Sequence, residues 1–250
     1  MAIDLDALRA KHAELNTEKK GGDNADFLAK FLSLNIGTNV IRILPGKDDD
    51  TLFYAETSIH RVPNGQMNDN GSPQTKNMHC RKIHGEACPI CDSYYALWKP
   101  PYLDEDLARQ VKPRSRYYMN VVDRETREVK ILSCGVIIFK KIIAAMLDED
   151  YGDITDLKLG HDYKIHKEMD GKWPKYDQSQ PRPKSEPAGT KADVAAWMDQ
   201  LHDIHGLVKL EDYDVFKAAA ETLTPSQIGN TSQGTPEDVD DDEYLSKMQS

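Results

Sequence analysis

Apolar and polar residues alternate along several short stretches of the chain, and turn residues rather than long helical periods separate them. Asn39-Val40-Ile41-Arg42-Ile43-Leu44 predicts a strand ended by Pro45-Gly46, and Leu52 to Val62 predicts a second ended by Pro63-Asn64-Gly65. Residues 64–78, rich in Asn, Gly, Ser and Gln, predict a long loop. Ser115 to Val122 and Arg127 to Ser133 flank Asp123-Arg124-Glu125-Thr126 as a hairpin. His161 to Met169 and Trp173 to Tyr176 flank Asp170-Gly171 as another, Asp-Gly being a strong turn signal. Gln178 to Thr190 holds three prolines and few apolar residues, which predicts a loop. Helical spacing is confined to residues 3–15, Asp92 to Trp98, Gly135 to Leu147, Ala192 to His202 and Asp212 to Leu223.

Five to seven strands with helices inserted between them predict a mainly β fold, an OB-fold barrel with helical additions, because Greek-key barrels place helices and loops between their strands. The first helix carries a narrow stripe (Ile3, Leu5, Leu8, Leu15) and is cut off by Lys19-Lys20-Gly21-Gly22-Asp23-Asn24. It therefore reads as an arm, residues 1–24, ahead of a core over 25–223. From Thr224 the chain turns polar and then acidic, and residues 224–250 are predicted to be a disordered linker and tail. The strongest apolar run, Gly135 to Leu147, is interrupted by Lys140 and Lys141 and is too short to span a bilayer. Met1-Ala-Ile-Asp-Leu-Asp6 lacks the basic and apolar regions of a secretory signal, so no membrane partner is expected.

Composition changes the picture at two places. The net charge of -10 argues against a nucleic-acid partner until its distribution is considered. Glu237, Asp238, Asp240, Asp241, Asp242 and Glu243 crowd the end of the chain, whereas Gly71 to Asn120 carries eight Lys/Arg against five Asp/Glu. Cysteine usage is uneven too. Cys80, Cys88 and Cys91 lie within twelve residues, and Cys134 sits alone in an apolar run as a small buried side chain.

Cys88-Pro-Ile-Cys91 brings two thiolates onto one ion, with Cys80 upstream as a third ligand, and a closed structural zinc site needs a fourth. His60, at the end of a predicted strand, is preferred; His79 adjoins Cys80, and His84 lies in the short loop between Cys80 and Cys88. This predicts one structural Zn2+ per chain, in a subdomain over about residues 60–100. A redox dithiol would need a thioredoxin-like βαβ unit, and none surrounds Cys88. His84-Gly-Glu86 before Cys88 superficially resembles a zinc-deaminase signature, but Ala87 alone separates Glu86 from Cys88, and four protein ligands leave no open position for water. No carboxylate cluster of nuclease type is found at credible spacing, so no enzyme is expected.

Downstream of the cysteines, aromatic and cationic residues interleave: Tyr94, Tyr95, Trp98, Lys99, Tyr102, Lys112, Arg114, Arg116, Tyr117 and Tyr118. Rings stack on unpaired bases and cations track phosphates, which is what single-stranded nucleic acid requires. Along the strand, Arg114, Arg116 and Tyr118 share one face and Tyr117 takes the other. Arg42 points opposite to its apolar neighbours as a candidate groove residue, and Trp173, Lys175 and Tyr176 repeat the pattern more weakly. A zinc-ribbon scaffold that binds only proteins would explain the cysteines and the tail but leave these residues without a role.

Val40-Ile-Arg-Ile-Leu-Pro45, His60 before Asn64-Gly65, His84-Gly-Glu-Ala-Cys-Pro-Ile-Cys91, Val111-Lys-Pro-Arg-Ser-Arg-Tyr-Tyr-Met-Asn-Val-Val122, Lys140-Lys141 and Gly171-Lys-Trp-Pro-Lys-Tyr-Asp-Gln-Ser179 are similar to the helix-destabilising, single-stranded-DNA-binding protein family of T-even-type bacteriophages. The resemblance covers roughly residues 36–220. It implies an OB-fold core, a zinc held by His60, Cys80, Cys88 and Cys91, and cooperative binding along single strands by self-association. It also implies DNA contacts at Arg42, Arg114, Tyr117 and Tyr176, an acidic tail that docks replication and recombination proteins, and a place in the cytoplasm of an infected bacterial host. Two features differ: His60 and Cys80 are further apart than in the family, and the arm reads Leu8-Arg9-Ala10-Lys11-His12 in place of a compact basic motif.

Overall fold

The computed structural model describes residues 22–48, 50–69, 71, 73–171 and 173–223. The predicted arm lies outside them except for its last three residues, as does the acidic tail. The described residues form two compact units, one from residues 22–59 and 114–209, the other from residues 60–113 and 210–223.

The first unit is built on a sheet. Its strands are β1 (Gly37–Ile43), the first part of β2 (Tyr54–Met67), β4 (Arg114–Asp123), β5 (Val129–Cys134), β6 (His161–Asp170), β7 (Trp173–Lys175) and β8 (Gln180–Ser185). They run in the order β2-β4-β1-β6-β7, with β5 paired to β4 and β8 paired to β6. All these pairings are antiparallel, with Thr57 opposite Arg116, Tyr117 opposite Cys134 and Arg42 opposite Val122. Inserted among the strands are α1 (Gly22–Ala29), α4 (Val136–Leu147) and α5 (Lys191–Asp199).

β4 explains why this unit coheres. Six consecutive residues from Tyr117 to Val122 are buried, so the strand is covered on both faces rather than on one. On one side Tyr117, Met119 and Val121 join Ile138 and Ile142 of α4, together with Ile41, Ile43, Tyr163 and Ile165. On the other, Tyr118 packs with Ala55, Ile131 and Ile204, and Val122 with Leu44 and Trp197. Thr190 starts α5 with a capping box closed by Asp193. The Asp123–Thr126 turn is held by its own side chains: Asp123 accepts from the Glu125 backbone N–H and the Thr126 hydroxyl, and Arg127 takes a left-handed φ of 61°.

The second unit contains the rest of β2, β3 (Pro73–His79), a 3-10 turn (Arg81–His84), α2 (Pro89–Ala96), α3 (Glu105–Val111) and α6 (Tyr213–Leu223). β3 pairs with β2. The stretch read as a loop over residues 64–78 is therefore largely strand. Exposed Gln, Asn, Lys and Thr fill it, so no apolar alternation marks it. β8 also falls in a stretch whose pattern predicts a loop, because Pro181 and Pro183 interrupt it; as a short strand paired among the described residues with β6 alone it tolerates residues without an N–H. α1 includes Gly22, Asp23 and Asn24, which the sequence pattern assigns to a break. Among the described residues, no helix is long and apolar enough to cross a membrane.

Candidate metal centre and nucleic-acid surface

Cys88 is the N-cap of α2, Pro89 occupies its first turn, and Cys91 follows three residues on. Proline suits a helix start because its φ is already helical and it has no N–H to leave unpaired. The helix repeat then turns the two sulfurs to one side. Cys80 enters from the end of β3, after which the 3-10 turn and a left-handed Gly85 (φ 76°) send the chain back toward Cys88. His60 arrives from β2 with its ring fully buried.

The four ligand atoms all lie within 4.8 Å of one another. Cys80 and Cys91 sulfurs are 3.4 Å apart, and His60 Nε2 is 3.5 Å from both Cys88 and Cys91 sulfurs. Bonds of about 2.3 Å to sulfur and about 2.0 Å to nitrogen around a tetrahedral ion require edges of roughly 3.5–3.8 Å, so the donor set fits. The Nδ1–H of His60 donates to the Val111 carbonyl oxygen at 2.8 Å, which fixes the ring and turns Nε2 toward the sulfurs.

Electrostatics point the same way. Hydrogen bonds from Cys80 and Cys91 favour the thiolate of Cys88. Three thiolates cannot share this buried space without a cation to neutralise them. The cluster could hold a metal ion, and its histidine is His60: His84 is exposed, and His79 stands on β3 beside the buried Met78 without joining the group.

The residues expected to meet DNA fall into three groups. Arg114 is exposed at the start of β4, Arg116 is half-buried two residues on, Tyr176 is half-buried and Trp173 is 74% exposed on the β6–β7 hairpin. Arg116 lies close enough to Tyr176 to lower its phenol pKa, although burial outweighs this and holds it above its ordinary value. Lys141 Nζ donates to the carbonyl of Asp177, the next residue after Tyr176, at 2.9 Å. Thus a β4 arginine stands near Tyr176, and an α4 lysine is tied to the backbone just after it. Sequence reasoning gave Lys141 no DNA role of its own; its signal was a lysine pair breaking an otherwise apolar helix.

Lys99, Tyr102 and Lys112 belong to the second unit, where Lys99 is exposed and the other two are half-buried. The third group is misassigned. Arg42 is 0% exposed, and its Nε donates to Asp162 Oδ1 at 3.0 Å while Nη2 donates to the Glu186 carbonyl at 2.6 Å. It is a core ion-pair residue rather than a groove residue. Its burial reflects a partner 120 positions away that strand alternation cannot reveal. Gly160 belongs to the same arrangement, because a Cβ there would stand 2.7 Å from Arg42 Nη1 and 2.6 Å from the Ile154 carbonyl.

Tyr117 and Tyr118 are also buried. Tyr117 stacks on Phe139 with centroids 3.7 Å apart, and its hydroxyl donates to Glu56 at 3.0 Å; burial, helped by Glu56, pushes its phenol up to about 12. Tyr118 meets Phe31 edge-on at 6.4 Å. Both rings are spent on packing, because a central strand is covered on both faces.

Residues 35–225 match the protein family described as gp32 DNA binding protein like. The chain belongs to that family. A comparison with curated proteins gave no match. Membership makes the region a gp32-like DNA-binding domain of OB-like, mainly β fold, with single-stranded DNA as its general ligand. Within the gp32-like domain the metal cluster lies entirely in the second unit, and the Arg116–Tyr176–Lys141 group in the first.

Proposed function

We propose that the chain is a sequence-nonspecific single-stranded-DNA-binding protein of bacteriophage replication, recombination and repair, acting by binding and not by catalysis. The observation that carries this is the match of residues 35–225 to the gp32-like DNA-binding family, and Arg116 near Tyr176, with Lys141 bound to the backbone of the next residue, offers cations beside a ring. Cations displace counterions from phosphates, and a ring accepts any base without reading its edges, which makes capture salt-sensitive and sequence-tolerant. Holding separated strands lowers duplex stability by mass action.

Zinc is the ion we assign to His60, Cys80, Cys88 and Cys91, because three thiolates and an imidazole at tetrahedral spacing suit it. Its part is structural: four protein ligands close the site, and what it supplies is a fixed second unit.

Charge reversal at Arg114 and Arg116 tests DNA capture. The double variant Arg114→Glu, Arg116→Glu is expected to melt like the parent and to bind oligo-dT at least tenfold more weakly. Its salt slope should fall by about 1.4, at about 0.7 per phosphate contact on single strands. Unchanged affinity would favour a protein-binding scaffold instead.

The acidic residues Glu237, Asp238, Asp240, Asp241, Asp242 and Glu243 compete with DNA as an anion and are released to replication and recombination proteins, while the N-terminal arm supports self-association along DNA. Titrations on poly-dT test both. Deleting residues 236–250 is expected to tighten binding at low salt, and deleting residues 1–21 to flatten the cooperative isotherm. Isotherms identical to the parent's would contradict these roles.

A further inference from the structure

α6 is remote in sequence from the cysteines, yet it is packed among them. Phe216 and Ala220 are fully buried and Leu223 nearly so, in one apolar cluster with Cys80, Cys88, Cys91, Met78 and Ile90. The flanks of the ligand residues also hold this segment by polar contacts. Arg81, next to Cys80, donates Nη1 to the Glu211 carbonyl at 2.7 Å, and its guanidinium lies 5.7 Å from the Tyr213 ring centre and 5.6 Å from that of Phe216. Ser93, two residues past Cys91, donates its hydroxyl to the Ala220 carbonyl at 3.3 Å. Lys76 of β3 pairs with Glu211 at 2.7 Å.

We infer that α6 is a working part of the metal site: ion binding and docking of residues 211–223 are thermodynamically coupled. The inference rests on the assignment of a structural ion to the cluster. An ion on Cys80, Cys88 and Cys91 fixes the positions of Arg81 and Ser93, and so completes the surface on which α6 sits. Without it, those sulfurs no longer share a centre and that surface loosens. α6 has eleven residues, and isolated helices shorter than about 12–15 residues are marginal in water, so it does not persist undocked. Losing the ion therefore frees the helix that leads into the polar stretch 224–236 and the acidic residues after it. Coupling is reciprocal, so weakening α6 must also weaken the hold on the ion.

Hydrogen exchange on the full zinc-reconstituted chain, with zinc per chain measured by mass spectrometry, tests the first direction. After chelation, amides of residues 213–223 should lose protection together with those of 80–96, while β4 and β5 keep theirs. The second direction is zinc affinity, measured by equilibrium competition with a chromophoric chelator. Phe216→Ser should weaken it by roughly 5–150-fold, the usual range for coupled sites, and the milder Ser93→Ala by a smaller factor. If Phe216→Ser does not fold, Ser93→Ala decides. Protection of α6 that survives chelation, or parental zinc affinity in the folded variants, overturns the coupling and leaves the metal assignment standing. A chain that takes up no zinc overturns the assignment and the coupling with it.

Discussion

Replacing Cys91 with serine is expected to abolish stoichiometric zinc binding and to unfold the second unit, with a loss of at least tenfold in affinity for single-stranded DNA. The second unit is a small body whose apolar cluster includes the three sulfurs themselves. Units of that size seldom stand on apolar burial alone and depend on a metal or a disulfide. All four cysteines are free thiols, so no disulfide substitutes. Zinc bound to three thiolates and an imidazole contributes apparent free energies of about 10–16 kcal/mol near neutral pH, most of it expressed as folding, and serine is a poor replacement for one of those thiolates. Circular dichroism melting and zinc analysis of Cys91→Ser check this directly. Full zinc occupancy with a parental melting curve would show that Cys91 does not hold the ion. Cys134 gives the internal contrast: it is buried in the first unit, where desolvation pushes its thiol up to about 12, and Cys134→Ser should leave zinc content unchanged.

Asp162→Ala is expected to cost the first unit about 3–5 kcal/mol, the usual penalty for removing one partner of a buried ion pair. Asp162 Oδ1 accepts from Arg42 Nε at 3.0 Å and from Arg124 Nε and Nη2 at 2.9 and 2.6 Å. The two arginines are not equivalent. The Arg124 side chain retains 20% exposure, donates to the Ala188 carbonyl and lies over the Trp197 ring. Arg42 has no exposure, and its Nη1 has no hydrogen-bond partner among the described residues. Without the carboxylate, the Arg42 charge stays inside the protein with the Glu186 carbonyl as its remaining acceptor. Urea unfolding should register the loss, and Arg124→Met should cost less. A value within about 1 kcal/mol of the parent would mean that water or a neighbour neutralises the site more readily than the geometry implies. Arg42→Met removes a charge without opening a large cavity, and its folded fraction should bind DNA as the parent does. That result separates a core ion pair from a phosphate contact.

What could be read in advance follows from the range of each signal. Cys88-Pro-Ile-Cys91, the Asp123–Thr126 and Asp170-Gly171 turns, and the apolar period of α4 are short-range patterns, and each appears where local chemistry put it. His60 was preferred because a strand end and a long return path allow two chain segments to clamp one ion, and it completes the observed cluster. Face assignment was less accessible. Alternation on β1 and β4 separates two sides of a strand but cannot say that both are covered, so Arg42, Tyr117 and Tyr118 looked available when they are interior. β3 and β8 escaped notice because an exposed strand carries no apolar rhythm and an edge strand can carry prolines. The approach of Arg116 to Tyr176 depends on pairing across the sheet, which no local pattern encodes.

A salt series of equilibrium titrations with labelled oligo-dT, run on the zinc-loaded chain and again after chelation, bears most directly on whether a cation-and-ring surface captures unpaired strands. Affinity should fall steeply and linearly on logarithmic axes, by about 0.7 per phosphate neutralised, and should drop at every salt concentration once zinc is removed. A chain that ignores oligo-dT in dilute buffer, or binds it with no dependence on salt, would contradict the proposal.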